Sequence, residues 1–145
     1  MPRIELSEIV PYTPQQMFDL VVDVGSYPEF LPWCVKGRRF REQENQFVAE
    51  MTVAFKGIKE TFQTVDKFIP NQRVDITLLN GPFKFLESHW VFTPHGEDSC
   101  KLEFFIDFRF KSRFLDMTAG PLFHHASQRM VSAYKERAGV LYGQK

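Results

Sequence analysis

FLDMTAGPLFHHASQRMVSAYKERAGVLY, running from Phe114 to Tyr142, is the one long stretch of this sequence with helical periodicity. Phe123, Ser127, Met130, Tyr134, Ala138 and Leu141 recur at steps of three and four residues, with Leu122, Ala126 and Val131 beside them. That spacing stacks side chains along one face of a helix. Gly120-Pro121 interrupts the pattern, and a proline inside a helix removes a hydrogen bond and crowds the preceding turn. The spacing therefore predicts a short piece over Phe114–Ala119, a break, and a main helix from Pro121. The main piece, of about 22 residues, would be about 33 Å long and able to cross a sheet.

Working back from this helix, the chain between Val35 and Phe110 reads as short alternating strands. Phe47, Ala49, Met51, Val53 and Phe55 alternate with Val48, Glu50, Thr52 and Ala54, and Lys56-Gly57 supplies a hairpin turn into a strand from Ile58 to Phe68. Pro70-Asn71 and Asn80-Gly81-Pro82 bracket a strand in which Val74, Ile76 and Leu78 share a face. Leu86, Ser88, Trp90 and Phe92 face inward on the next strand, and Cys100, Leu102, Phe104, Ile106, Phe108 and Phe110 on the last. Ahead of these, residues 3–10 alternate as a first strand that the Met1-Pro2 start already suggests, and Thr13-Pro14 reads as N-cap and first position of a helix. Met17, Phe18, Val21 and Val22 form that helix's stripe, which should stop at about Val24 with Gly25 in a left-handed conformation. An amphipathic helix beside an antiparallel sheet buries its apolar face only by lying across the sheet. The expected class is α+β: about seven antiparallel strands curved around a long C-terminal helix.

Tyr27-Pro28-Glu29-Phe30-Leu31-Pro32-Trp33 joins the first helix to the first strand of this run. Two prolines permit only a short turn and a bend, yet the large apolar side chains are too many for a plain surface loop. They either plug one end of the core or form the lip of an opening. With the piece before Gly120, Phe30 and Trp33 are expected to make an adjustable mouth.

Composition narrows the function. The chain has 145 residues, 18 basic and 18 acidic, with no net charge. This is the size of a single domain, residues 1–145, with one substantial core. A neutral chain has no global field to draw in nucleic acid, and DNA is not expected as a partner. Sixteen phenylalanines suit either an aromatic core or an apolar ligand chamber. Lys36, Arg38, Arg39 and Arg41 concentrate charge on one strand. That run is either a protected sheet edge or a patch for phosphates on anionic lipid or ribosomal RNA. Cys34 and Cys100 lie far apart with no zinc-type spacing and read as reduced thiols. No apolar run is long enough to span a membrane, and the N-terminus lacks the features of a signal peptide. A bacterial cytoplasmic location is expected.

Candidate chemistry is sparse. Glu87 and His89 share a strand face, but the polar one. His124 and His125 are adjacent on the helix, whereas a helical metal site needs spacing of four, so no metal site is expected. No Ser-centred elbow or glycine-rich phosphate loop is present. The sequence reads as a shaped apolar container without an acid–base team, and no catalytic residue is assigned.

The segment Asp23-Val24-x-x-Tyr27-Pro28-x-Phe30-Leu31-Pro32-Trp33-Cys34 resembles the START-like, helix-grip proteins of the polyketide cyclase/dehydrase superfamily. The resemblance extends to Pro11-Tyr12, to Gly81-Pro82-Phe83 with Trp90-x-Phe92-x-Pro94, to Phe108-x-Phe110 and to Glu136-Arg137-Ala138. Together these point to the branch that holds the coenzyme Q-binding proteins and the ribosome-association toxins. Pro32-Trp33-Cys34, Leu86-Glu87 with Trp90, and Phe108–Ser112 look more like the quinone-binding members. Gly57-Ile58 with Thr61-Phe62, and Tyr27-Pro28-x-Phe30-Leu31-Pro32, look equally like the toxin.

The resemblance implies a sheet gripping the C-terminal helix with a tunnel between them. It implies non-catalytic binding of ubiquinone or a related polyisoprenoid, which is a bound ligand and no cofactor, in support of respiration. The inward faces give a candidate tunnel and mouth: Phe30, Leu31, Trp33, Met51, Val53, Ile76, Leu86, Trp90, Phe104, Ile106, Phe123, Met130 and Tyr134. Trp90 and Tyr134 are candidate hydrogen-bond donors to a quinone head. Lys36, Arg38, Arg39 and Arg41 would meet an anionic membrane as a peripheral contact. The alternative is a toxin that binds the large ribosomal subunit through those cations together with Arg109, Lys111 and Arg113, and blocks subunit joining. A third reading, a cyclase or hydrolase, rests on fold analogy alone and would require a buried, strongly shifted acid or histidine in the cavity. None is apparent on the inward faces.

Overall fold

A computed structural model of the protein describes residues 3–144; Met1 and Pro2, part of the expected N-terminal alternation, lie outside them. The elements are β1 (Arg3–Val10), α1 (Pro14–Val22), a 3-10 turn (Val24–Glu29), β2 (Cys34–Gln43), β3 (Gln46–Phe55), β4 (Ile58–Ile69), β5 (Arg73–Asn80), β6 (Phe83–Pro94), β7 (Cys100–Phe110), α2 (Arg113–Gln128) and α3 (Met130–Tyr142). The strands form one antiparallel sheet in the order β1-β7-β6-β5-β4-β3-β2. β2 is an edge, as its charges suggested. α2 and α3 pack over the face that the alternating apolar residues line, which is the α+β helix-grip arrangement.

Local chemistry explains the element ends. Thr13 Oγ1 accepts from the Gln16 amide at 3.1 Å and Gln16 Oε1 from the Thr13 amide at 2.9 Å. This capping box and Pro14 at the first turn start α1. Lys56 and Gly57 both have positive φ, 46° and 85°, as a two-residue hairpin turn matching the sheet's twist requires. Cross-strand pairs Trp90–Phe104, Ser88–Ile106 and Leu86–Phe108 keep the inward faces of β6 and β7 in register.

Two expected boundaries are corrected. Gly25 does not adopt a left-handed cap: α1 ends at Asp23, and Gly25 lies within the 3-10 turn. Ser26 closes that turn on Asp23 through its amide, at 3.1 Å, and its hydroxyl, at 2.7 Å. Nor is there a break at Gly120-Pro121, because α2 runs through it. Pro121 is on the solvent side and Met117, whose carbonyl loses its partner, is 74% exposed. Water can satisfy that carbonyl, and Gly120, having no Cβ, relieves the crowding ahead of proline.

The interruption falls instead at Arg129, between α2 and α3. There the buried Ser127 hydroxyl donates to the Phe123 carbonyl at 2.8 Å. The Arg129 amide reaches back only three residues, to Ala126 O at 3.1 Å. A hydroxyl bonded to its own helix backbone and a tightened turn are recognised causes of bending. β3 also departs from strict alternation, since Val48 and Thr52 are buried on its second face.

Most of the phenylalanine excess is packing. Phe123 of α2 is 3% exposed, and rings of Trp33, Phe55, Phe62, Phe83, Phe108 and Phe110 lie with centroids between 4.7 and 6.4 Å from its own. Such tilted and edge-on contacts are the favoured aromatic geometry. Cys34 and Cys100 are free and buried, and burial pushes both thiols up to about 11.

Candidate functional site

Between the sheet and the C-terminal helices lie two spaces that meet at one point. The outer one is a groove of about 710 Å³ bounded by the Glu29–Trp33 segment, the β3–β4 turn at Phe55-Lys56, and residues of α2 and α3 from Leu122 to Val140. The inner one is a chamber of about 60 Å³ between α3 and the middle of the sheet. Leu31 and Trp33 belong to the walls of both, so they form the partition between them. Leu31 is buried and Trp33 half-buried. The Trp33 indole stacks on Phe55 at 6.2 Å and meets Phe123 edge-on at 6.3 Å.

The structure brings the sequence candidates together unevenly. Leu31, Trp33, Met51, Ile76, Leu86, Trp90, Phe104, Ile106, Phe123, Met130 and Tyr134 line the chamber. Phe30 lines only the groove. Val53 lines neither, being a buried residue opposite Cys34 and Glu60 in the sheet. Among the described residues the expected tunnel is not continuous, because Leu31 and Trp33 divide the two spaces. An engineered apolar cavity that accepts benzene measures about 150 Å³, so the chamber as it stands holds a few waters and not a quinone ring. The mouth is also elsewhere: Phe30 and Trp33 face the second half of α2 and the start of α3, and Phe114–Ala119 takes no part in the groove.

The basic run does not form one patch. Arg38 pairs with Glu50 at 2.7 Å across the strands. Arg39 lies toward α1, paired with Glu42 at 2.9 Å, donating to Val22 O at 2.8 Å and stacked over Phe47. Arg41 has positive φ and lies over Phe40, and Lys36 is exposed. Period-two geometry turns Arg39 to the other face of the strand, while Arg38 and Arg41 both lie against the Phe40 ring, so the four cations do not share one surface.

The inner chamber contains a group that the sequence reading missed. Asp66 of β4 is 4% exposed and lies in the chamber wall with Thr64, Ser88, Tyr27 and Tyr134. The Thr64 hydroxyl donates to Asp66 Oδ1 at 2.6 Å. Burial raises the carboxyl to about 7, against a smaller lowering effect of the Thr64 bond and the Arg39 charge. The other hydroxyls are committed. Tyr27 donates to Val21 O, Tyr134 is hydrogen-bonded to Tyr27, and Ser88 donates to Phe105 O at 2.7 Å. Burial drives both tyrosines above their ordinary range. Tyr134, expected to serve a ligand, is thus engaged internally. The alternation Phe62, Thr64, Asp66, Phe68 carried the signal, because a residue two beyond a buried phenylalanine and threonine shares their face. Glu87 and His89 lie on the opposite side, with His89 stacked on Phe105 at 5.0 Å, in neither space.

A family model described as polyketide cyclase/dehydrase and lipid transport matches residues 10–135. The chain belongs to this family. Within it, the chain is 38% identical over 142 residues to the ribosome association toxin RatA of Escherichia coli, covering 98% of this chain and 90% of that protein. It is 32% identical over 149 residues to the mitochondrial coenzyme Q-binding protein COQ10 homolog B of Xenopus laevis, covering 99% of this chain but 61% of that one. The solution structure of the 18 kDa protein CC1736 from Caulobacter crescentus is 36% identical, with a TM-score of 0.75 and coverage of 99% and 100%. The ZhuI aromatase/cyclase of a Streptomyces species, 19% identical with a TM-score of 0.69 over 97% and 88% of the two chains, shares the fold. The START-like family assignment and the helix-grip architecture therefore stand. Relatives in one family are named for a toxin and for a coenzyme Q-binding protein, and the wider superfamily includes cyclases.

Proposed function

We propose that this protein binds a long apolar lipid, ubiquinone or a related polyisoprenoid, without transforming it. It would act in the cytoplasm, in peripheral contact with an anionic membrane through exposed Lys36, Arg38 and Arg41 on the β2 edge. The observation that carries this reading is the Leu31–Trp33 partition: an apolar groove and an apolar chamber separated by two side chains become one elongated site when those side chains move. The half-buried Trp33 has its backbone anchored by the Ala54 amide at 2.8 Å, but its indole makes two ring contacts and no side-chain hydrogen bond among the described residues, which suits rotation of the side chain. A polyprenyl tail would lie along Phe30, Phe55 and Leu122 in the groove, with the ring past the partition. Among the described residues no helix is long and apolar enough to cross a membrane.

Asp66 meets the requirement set for the enzyme reading, a shifted acid in the cavity. It stands alone: the chamber's hydroxyls are bonded to backbone, to each other or to Asp66 itself, so no second acid or base accompanies it to complete an acid–base pair. A binding role fits better. The test is native mass spectrometry with organic extraction of protein purified from a quinone-producing host. Co-purified quinone or polyisoprenoid is expected, and its absence, together with normal respiration in a Met51→Lys strain, would overturn the reading.

The similarity to RatA across nearly the whole chain supports a second reading, binding of the large ribosomal subunit. Its test is a sucrose gradient after overexpression, in which an accumulation of free subunits supports it and an unaltered profile removes it.

A further inference from the structure

We propose that Asp66 reads the polar end of the ligand: its carboxylic acid donates a hydrogen bond to a neutral carbonyl oxygen carried by an otherwise apolar molecule. The inference rests on the lipid-binding reading and specifies what the inner chamber selects.

The argument begins with what burial costs. A carboxyl removed from water without a paired cation is destabilising, and an apolar residue of similar size would serve a core better. Asp66 has no salt bridge among the described residues. The cation that acts on it, Arg39, spends its donors on Glu42 and the Val22 carbonyl. Its one side-chain hydrogen bond, from Thr64, occupies Oδ1. The second oxygen is left with capacity to spare, while the hydroxyls of Tyr27, Tyr134, Thr64 and Ser88 all have their hydrogens placed; the Trp90 indole in the same wall is a neutral donor that does not titrate.

Protonation state decides the ligand class. Asp66 accepts from Thr64 on one oxygen, so the proton sits on the other, and a neutral acid presents a donor to the chamber. A donor in a desolvated, apolar pocket prefers an uncharged acceptor; an anionic head would have to shed its hydration and meet Tyr27 and Tyr134, which carry no positive charge. A quinone or ketone oxygen meets these conditions, whereas a phosphate or carboxylate head does not. The charged group acting on Asp66 is Arg39 of β2; Asp66 in turn acts on Tyr27 of the 3-10 turn and Tyr134 of α3, on which Cys34 of β2 also acts. Both tyrosines and the Cys34 thiol are raised above their ordinary values and stay neutral below pH 8, which leaves Asp66 as the group that titrates.

The probes are a short-chain ubiquinone with a ten-carbon tail and an alkylbenzene with the same tail and no carbonyl. Binding is followed calorimetrically at pH 6 and pH 8. Wild-type protein should bind the quinone roughly tenfold more tightly at pH 6, as expected for an acid titrating near 7, and the alkylbenzene equally at both. Asp66→Asn, which keeps a donor and the shape, should lose the pH dependence. Asp66→Leu should bring quinone affinity down to that of the alkylbenzene. Equal quinone affinity in Asp66→Leu and wild type, with both folded by thermal melting, would overturn the assignment while leaving lipid binding intact. Failure of both probes to bind wild type would remove the lipid-binding reading, and this one with it.

Discussion

Replacing Asp66 by asparagine should make the protein's stability less dependent on pH, by an amount that the structure sets. The buried carboxyl is raised from 3.8 to about 7, chiefly by desolvation. Between those values the folded protein holds a proton that the unfolded chain has released. Stability therefore falls as pH rises from about 4 to about 7 and levels off above that. Between pH 5 and pH 8 the contribution is on the order of 2–3 kcal/mol. Urea unfolding at pH 5, 6, 7 and 8 measures it directly. With an m-value of about 2 kcal/mol/M, the wild-type midpoint should drop by about 1 M more than that of Asp66→Asn. Other titrating groups, His89 and Asp19 among them, are common to both proteins and cancel in the difference. Parallel pH profiles would show that Asp66 ionises as an ordinary surface carboxylate does, and the account of the chamber would lose its polar element.

Phe123→Ala should lower unfolding free energy by about 3–5 kcal/mol, because it empties the centre of a six-ring cluster; an unfolding midpoint near wild type would contradict the packing described. Gly37→Ala would place a Cβ 2.4 Å from the Val24 carbonyl oxygen, where backbone cannot give way, so a loss of about 3 kcal/mol is expected by chemical denaturation. Gly25→Ala, with nothing within 4 Å, should be close to neutral. The Cys34 and Cys100 thiols, buried and raised to about 11, should react with a disulfide reagent at pH 8 far more slowly than a free thiol and at full rate in denaturant; rapid labelling of the native protein would show that one of them is accessible.

Strands, turns and inward faces were legible because each depends on a local rule. Alternation marked β7, Lys56-Gly57 the hairpin, and Thr13-Pro14 the start of α1. The kink in the C-terminal helix was not, because its position depends on what surrounds each residue. Pro121 is tolerated where the carbonyl it orphans faces solvent, and Ser127 bends the helix only because its buried hydroxyl turns back onto Phe123. The chamber wall was largely readable from period two, but its volume was not. Whether large inward side chains meet or stand apart depends on sheet curvature, and here they nearly meet. Asp66 was passed over because an acid among apolar residues is ordinarily assigned to the solvent face, although Phe62 and Thr64 fix its side. Lys36–Arg41 misled in the opposite way, since residues adjacent in a strand point apart.

The claim on which the rest depends is that a ligand passes the Leu31–Trp33 partition into the chamber. The chain has two tryptophans, Trp33 at the partition and Trp90 in the chamber wall alone, so Trp90 reports on the chamber and Trp33 on the partition. Titrating a short-chain ubiquinone, itself a contact quencher, into Trp33→Phe and Trp90→Phe separates them. Saturable quenching of Trp90 in Trp33→Phe, with the same midpoint as quenching of Trp33 in Trp90→Phe, is the predicted result. Quenching of Trp33 alone would confine the ligand to the outer groove and contradict the account.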